Sequence, residues 1–151
     1  GPGSGKTTLA NKLKKLFELP IINLDNINYK KDWISRNKKE RDNIIQRKIN
    51  EDEWIMEGVY KSTLKQRADV ADLIIFLEQP TYYLIFRIIK RYICNFEKEK
   101  KELDGCKERL SWNFIKYTLL FNSKKKSIYE ILNKVENIDN KLIIFKNGRI
   151  S

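Results

Sequence analysis

The sequence predicts an α/β protein built around a mostly parallel sheet. Short apolar runs that fit buried strands alternate along the chain with longer segments whose apolar residues recur at helical spacing. Strands that alternate with helices pair in parallel and are joined by right-handed crossovers. The chain has 151 residues, enough to bury a core, and no linker or internal repeat divides it. We therefore expect a single domain that covers residues 1–151.

The first half of the chain alternates helix and strand twice. Leu9, Leu13 and Leu16 keep helical spacing, which predicts a helix that Pro20 ends. Isoleucines at similar spacing give a second helix its apolar stripe, with Ser35 as its N-cap after a polar segment that we expect to be irregular. In chain order these elements are helix 6–17, strand 20–24, irregular segment 26–37, helix 37–51 and strand 54–56.

The second half continues the alternation. The run Leu73-Ile74-Ile75-Phe76-Leu77 is the clearest buried strand, and Pro80 separates it from a long apolar-striped helix. Aromatic residues at helical spacing (Trp112, Phe114, Tyr117 and Phe121) are expected to pack in the core rather than stack on bases. The predicted elements are helix 63–68, strand 73–77, helices 81–95, 112–121 and 128–135, and strand 141–145.

The chain opens on Gly-Pro-Gly-Ser-Gly-Lys-Thr-Thr, which is typical of a phosphate-binding loop. Closely spaced glycines let backbone N–H groups turn inward into an anion nest, and the following helix adds its positive dipole end. Lys6 is expected to reach the β- and γ-phosphates, and the Thr7 hydroxyl to sit on Mg²⁺. Thr8 either supports the α-phosphate or caps the helix. The predicted binding residues for a nucleoside triphosphate are Gly1, Gly3, Ser4, Gly5, Lys6, Thr7 and Thr8.

The full pattern, G-x-x-x-x-G-K-[ST], needs its first glycine one residue before Gly1. A loop of this kind also follows a buried strand. We therefore expect a further strand upstream of the printed sequence. The alternative is that Gly-Pro-Gly-Ser is a vector-derived tail.

Two carboxylates follow predicted strands, where ligands of parallel sheets bind. Asp25 is expected to orient or deprotonate an attacking hydroxyl, or to bind Mg²⁺ through water. The same roles are possible for Glu57, including contact with Mg²⁺ through a water molecule. For both, the alternative is a turn or capping residue that satisfies local N–H groups.

Arg87 and Arg91 are four residues apart, so one helical face carries both. Guanidinium groups can stabilise the charge of a transferred phosphoryl group in a closed site, which is one hypothesis for this pair. A solvated basic face is the alternative. Arg36, Arg41 and Arg67 either hold an anionic acceptor or lie on the surface.

Composition excludes several classes of site. The chain has no histidine, which rules out histidine-based triads and histidine metal ligands. Its two cysteines do not make a disulfide framework, and no apolar run approaches the roughly 18 residues of a membrane span. We expect a cytoplasmic protein without a membrane partner. The net charge of +11 fits an anionic partner or simply a lysine-rich surface, since the lysines are spread along the chain.

The chain resembles the adenylate-kinase-like P-loop small-molecule kinases and, within them, the topology modulation proteins (FlaR-related). The resemblance covers nearly the whole chain, and the part most specific to the family is Asp104-Gly105-Cys106-Lys107-Glu108 with the aromatic helix after it. The other matching features are the loop of residues 1–8, Leu24-Asp25, Trp33, the run Trp54-Ile55-Met56-Glu57-Gly58-Val59-Tyr60, Arg67, residues 71–77 before Pro80, Arg87 and Arg91.

The resemblance implies a P-loop fold of three α/β/α layers, with five strands of which the first would precede Gly1, and a helical lid at 92–110. It implies an ATP- and Mg²⁺-dependent kinase whose acceptor is a small molecule, such as a nucleotide or nucleoside. Two positions depart from the family pattern, because Glu57 stands where an aspartate is usual and Val59 where an asparagine is usual. Cys106 is expected to be structural, because no histidine is present to activate it.

Two alternatives to the small-molecule kinase remain at this point. The charge of +11 is compatible with a nucleic-acid-associated ATPase or a polynucleotide end kinase, although no nucleic-acid-reading motif accompanies it. A nucleotide-binding regulator without turnover is the other. The phosphate loop predicts nucleotide binding in all three cases.

Overall fold

The computed structural model describes residues 2–94, 112–147 and 149–150. Within those residues the chain is an α/β protein of short strands and mostly longer helices. The helices are α1 Lys6–Phe17, α2 Leu24–Asn28, α3 Lys38–Ile49, α4 Lys61–Val70, α5 Thr81–Cys94, α6 Trp112–Leu119, α7 Phe121–Leu132 and α8 Ile138–Lys141, with a 3₁₀ turn at Lys31–Trp33. The strands are β1 Ile21–Asn23, β2 Ile55–Glu57, β3 Ile74–Glu78, β4 Leu142–Lys146 and β5 Arg149–Ile150.

The chain forms two compact units, and we name each after one of its helices. Of the described residues, the α1 unit comprises Lys6–Thr63, and the α5 unit comprises 2–5, 64–94, 112–147 and 149–150. Each unit contains its own pair of parallel strands.

In the α1 unit, β1 and β2 pair in parallel and α1 packs against both strands. The register places Ile22 beside Met56 and Asn23 beside Glu57. Strand β2 begins where the Ile55 N–H donates to the Pro20 carbonyl at 2.8 Å. The buried core of this unit comprises Ile22, Leu24, Ile45 and Ile49, against which Ile27, Trp54, Met56 and Tyr60 pack. Burial of this cluster holds the ends of β1 and β2, and therefore their polar residues, in fixed places.

In the α5 unit, β3 and β4 pair in parallel over five residues each, and β5 returns antiparallel to β4. The buried side chains of this unit include Phe76 from β3, Leu84 and Ile88 from α5, and Ile128 and Leu132 from α7. Helix α5 also contacts α6, which in turn contacts α7. Tyr129 of α7 packs edge-on against Phe76 at 5.2 Å between ring centroids, which ties the helix to the strand.

The α/β class and the parallel pairing are confirmed, and the first helix has the predicted bounds. The P-loop fold, the five-stranded parallel sheet and the single domain stay predictions. Of the predicted lid at 92–110, only residues 92–94 are described, and they form the end of α5. Cys106 lies outside the described residues.

Several expectations about the elements were wrong. Helix α7 spans Phe121–Leu132, whereas a helix over 128–135 was expected. The segment after β1 contains α2, because the Asn23 side chain accepts from the Asp25 N–H and caps a short helix that buries Leu24 and Asn28. Asn37, not Ser35, caps α3, since Ser35 is held in an antiparallel bridge with Tyr29. Trp112 is 85% exposed and is not a core residue, although Phe121 is buried.

Candidate functional site

The glycine loop lies against one face of α5. Gly3 and Gly5 have positive φ angles, 71° and 93°, which glycine adopts without strain. A Cβ built on Gly3 would lie 3.1 Å from the Leu84 carbonyl oxygen and 3.3 Å from Ile88 Cγ1. Ser4, between the two glycines, is 5% exposed. The loop is therefore close-packed on its α5 side, and side chains larger than hydrogen at Gly3 would displace it.

Arg87 approaches the same loop from α5. A Cβ on Gly5 would lie 3.4 Å from Arg87 Nη1 and 3.6 Å from its Nη2. The guanidinium also lies over the Tyr83 ring, 5.7 Å from the centroid, which supports its orientation. The structure thus brings one predicted arginine to the glycine loop. Arg91 is partly buried one turn farther along the same helix.

Helix α1 begins at Lys6, directly after the loop in sequence, and its second residue faces Glu57. Thr7 Oγ1 lies 2.9 Å from Glu57 Oε1 and 3.0 Å from Oε2, so the hydroxyl donates to the carboxylate. Glu57 is the last residue of β2 and is 9% exposed. The contact follows from packing, because α1 lies against β2. Two residues predicted for Mg²⁺ are thereby brought together.

Asn23 belongs to this site, and the sequence did not single it out. It is the register partner of Glu57, and its Nδ2 donates to Glu57 Oε1. Its Oδ1 accepts from the Asp25 backbone N–H at 2.8 Å. A single amide therefore connects the two predicted carboxylates. The only sequence signal was a polar residue at a strand end, and the strand register that gives it meaning is a tertiary property.

Asp25 lies in the first turn of α2, where Tyr60 donates a hydrogen bond to its Oδ1 at 2.8 Å. Burial and the neighbouring Asp25 carboxylate together raise the pKa of Tyr60, so the phenol stays protonated and keeps its role as donor. The pKa of Tyr29 is raised for the same two causes, burial first and Asp25 second. Asp25 is thus set among neutral phenols.

Arg41 supports Tyr60 from the side. Its guanidinium carbon lies 4.7 Å from the centroid of the Tyr60 ring. All three of its nitrogens have acceptors: Nε and Nη2 on Asp42 at 2.9 and 2.7 Å, Nη1 on Asn28 at 3.2 Å, and Nη2 also on Ser62 at 3.0 Å. Arg36 pairs with Glu40 at 3.0 Å. Arg67 is 7% exposed, and burial lowers its pKa to about 10.

The donor set at Thr7 and Glu57 suits a hard cation. A threonine hydroxyl and a carboxylate are oxygen ligands of the kind Mg²⁺ prefers, and Mg²⁺ usually takes its remaining ligands from substrate phosphates and water. No group of three or more aspartate, glutamate or cysteine side chains is placed to hold a metal by itself within the part of the chain that the structure describes. The residues present therefore fit a metal that arrives with phosphates.

The remaining predicted residues are placed as follows. Lys6 is partly buried at the start of α1, and Thr8 is exposed beside it. Gly1 and the stretch Asp104–Glu108 lie outside the described residues. In the ranges 2–94, 112–147 and 149–150, no helix has the length and apolar character to cross a membrane.

The chain was compared with known protein families, curated proteins and solved structures. No protein-family model, curated protein or solved structure matches the chain.

Proposed function

We propose that this protein is an ATP- and Mg²⁺-dependent phosphotransferase of the P-loop type that acts on a small molecule. The observation that carries the proposal is the hydrogen bond of the Thr7 hydroxyl to Glu57, directly after a loop with the sequence and the glycine conformations of a phosphate nest. A hydroxyl next to Gly-Lys and a carboxylate at a strand end are the pair that holds Mg²⁺ in P-loop enzymes. The parallel pairs β1–β2 and β3–β4 support the corresponding three-layer fold and kinship with the topology modulation proteins.

Each residue then has one role. The backbone N–H groups of Gly3, Ser4 and Gly5 cradle phosphate oxygens. Lys6 neutralises charge on the β- and γ-phosphates, and Thr7 with Glu57 holds the metal, which supplies charge neutralisation at the phosphates when bound. Asp25 orients the acceptor.

Two arginines complete the assignment. Arg87, beside Gly5, stabilises charge on the transferred phosphoryl group. Arg91, one turn along α5, assists it.

Calorimetric titration of the full-length protein with Mg-ATP tests the first step. We expect saturable binding that Lys6→Ala weakens by roughly tenfold or more, because the ammonium group contacts phosphates directly. Thr7→Val should reduce the Mg²⁺ dependence of binding. Lys12→Ala removes an exposed lysine of the same helix and should leave binding unchanged. Absence of Mg-ATP binding, or equal effects of the two lysine variants, contradicts the proposal.

The net charge of +11 favours a second candidate, a nucleic-acid-associated ATPase or polynucleotide end kinase. Its signature is ATP turnover that rises when DNA or RNA is added, with binding that weakens steeply as salt increases. Turnover that is indifferent to polynucleotide eliminates it. A regulator that binds nucleotide without turnover is a third reading, and phosphoryl transfer to any acceptor eliminates that one.

A further inference from the structure

The described neighbours of Asp25, the carboxylate predicted to face the acceptor, give it hydrogen bonds but no ion pair. Asp25 Oδ1 accepts from the neutral phenol of Tyr60, and its backbone N–H is satisfied by Asn23. The ion pairs found among the described residues involve other carboxylates and not Asp25. A phenol satisfies hydrogen bonding without neutralising charge. The remaining acceptor capacity of this carboxylate is therefore suited to an O–H or N–H donor.

The guanidinium of Arg41, which lies over the Tyr60 ring, is engaged within the chain. Each nitrogen of Arg41 already has an acceptor within the chain, and Asp42 balances its charge at 2.7 Å. Its flat face lies over the Tyr60 ring. Its hydrogen bonds use four of the five N–H donors of the guanidinium, so bidentate capture of a phosphate or carboxylate would break at least one of them. Arg41 is accordingly a positioning residue that holds Tyr60 against Asp25.

A series of hydrogen bonds also connects Asp25 to Thr7, the residue proposed to hold the metal. Thr7 donates to Glu57, Asn23 donates to Glu57, and the Asp25 N–H donates to Asn23. This sequence of hydrogen bonds fixes the carboxylate relative to the hydroxyl that is proposed to hold the metal. Asp25 is thus oriented by the structure before an acceptor arrives.

We propose that the acceptor is an uncharged or cationic alcohol, of the chemical class of nucleosides, polyols or amino alcohols, and not a phosphorylated or carboxylated one. The inference rests on the proposed kinase activity and specifies its substrate class. In the transfer, the acceptor oxygen forms a bond to the γ-phosphorus of ATP while the bond from that phosphorus to the β–γ bridging oxygen breaks. The electron pair of the broken bond leaves with ADP, and Asp25 accepts the hydroxyl proton, which then passes to solvent.

The overall charge of +11 does not reverse this preference. Charges farther than about 8–10 Å from the acceptor are largely screened at physiological ionic strength. An anionic group within about 4 Å of Asp25 meets a repulsion that screening scarcely reduces. Local charge therefore decides which acceptor binds, whereas net charge affects how quickly anions of any kind approach.

Matched acceptor pairs test the inference. The full-length protein is given Mg-ATP and two compounds that share a reactive hydroxyl. Suitable pairs are a nucleoside and its 3′-monophosphate, which share the 5′-hydroxyl, or glycerol and glycerol 1-phosphate, which share a primary hydroxyl. We expect kcat/KM for the uncharged member to exceed that for the anionic member by roughly tenfold or more. Asp25→Asn should abolish most transfer, and Tyr60→Phe should reduce it less. The matched controls Asp52→Asn and Tyr82→Phe change exposed residues and should have no effect.

The outcomes separate the two proposals. If the protein binds Mg-ATP but transfers phosphate preferentially to the anionic member of each pair, the acceptor assignment is overturned and the kinase proposal stands. Loss of that transfer in Arg36→Ala would then identify Arg36 as the residue that binds the anion. Mg-ATP binding without transfer to any uncharged compound also overturns the acceptor assignment. Failure to bind Mg-ATP contradicts the kinase itself. Thermal melting of each variant establishes that Asp25→Asn remains folded, and the preference of the wild-type protein between pair members does not depend on any variant.

Discussion

Gly58 follows Glu57 directly and turns the chain out of β2 with a φ of 129°. A Cβ at this position would lie 2.9 Å from the Cβ of Leu24, a fully buried residue. The residue thus meets two demands, a backbone angle that side chains disfavour and a close approach to the core. Because Gly58 directly follows Glu57, its close approach to Leu24 also helps to fix the position of the Glu57 carboxylate.

Gly58→Ala should destabilise the protein by roughly 2 kcal/mol or more, because strain at positive φ and overpacking against Leu24 add together. Urea unfolding measures the change. Glu53→Ala, at an exposed position just before β2, is the control and should cost little. A Gly58→Ala variant as stable as the control would contradict the close approach.

Asn23→Asp should make stability depend on pH. The new carboxylate would lie beside Glu57, and two adjacent carboxylates raise the pKa of one of them. A raised pKa in the folded state means stability that is present at low pH and lost as pH rises. Relative to wild type, the variant should therefore lose about 1–2 kcal/mol more near pH 7 than near pH 4.

Asn23→Ala separates the two effects in the same experiment. It removes the cap of α2 and the amide bond to Glu57 without adding charge, so its cost should be similar at both pH values. Equal pH dependence of the two variants would show that Asn23 and Glu57 are not adjacent.

At the scale of elements, single helix faces and strand ends carry the contacts of the candidate site. Leu84, Arg87 and Ile88 share the α5 face that meets the glycine loop. In the same unit, α7 is joined to β3 by Tyr129 and Lys125, which contact Glu78 at 3.0 and 3.5 Å. The two helices therefore pack against different parts of this unit: α5 against the glycine loop and α7 against β3.

Arg87→Ala should lower kcat for phosphoryl transfer by about 100-fold or more, with little change in the KM for ATP, if the guanidinium acts mainly in the transition state. Steady-state kinetics measure the two constants separately. Lys90→Ala, an exposed cation of the same helix, should leave both unchanged. A rise in KM with constant kcat would instead assign Arg87 to ground-state binding.

The contact between α7 and β3 should weaken at high pH. Burial, with the hydrogen bond and charge of Glu78, raises the pKa of Tyr129 to about 12. A raised pKa in the folded state gives stability that is complete below the unfolded value near 10 and is lost as pH rises from there toward 12. Urea unfolding at the two ends of that range should show a larger loss for wild type than for Tyr129→Phe. Equal losses would place Tyr129 away from Glu78.

At the scale of the whole molecule, the described residues form two units that each contain a parallel strand pair. The net charge of +11 belongs to both and is carried by lysines and arginines all along the chain. Such a charge promotes association with any polyanion, with or without a specific site.

We therefore expect DNA binding that is non-specific and that falls steeply between low and physiological salt, while ATP turnover does not respond to DNA. Fluorescence anisotropy of a labelled duplex measures the first, and a coupled ADP assay measures the second. An acidic DNA mimic such as heparin should compete equally well. DNA-stimulated turnover would favour the polynucleotide enzyme.

Sequence by itself determined the α/β class, the bounds of α1 and the places of β1, β2, β3 and β4 within a residue or two, whereas β5 was not predicted. Apolar periodicity and Pro20 are local signals, and elements of this kind obey local rules. It also indicated Thr7, Glu57, Asp25 and Arg87, because their residue types and positions relative to strands and glycines are chemically specific.

Only the tertiary structure decided which of these residues meet. The register of β1 and β2 sets Asn23 beside Glu57, and α1 packing gives Glu57 the Thr7 hydroxyl. The α2 helix and the exposure of Trp112 were likewise not predicted. Strand register and helix packing depend on contacts between residues far apart in sequence. A local sequence pattern indicates whether a segment is a helix or a strand, but it carries no information about these long-range contacts.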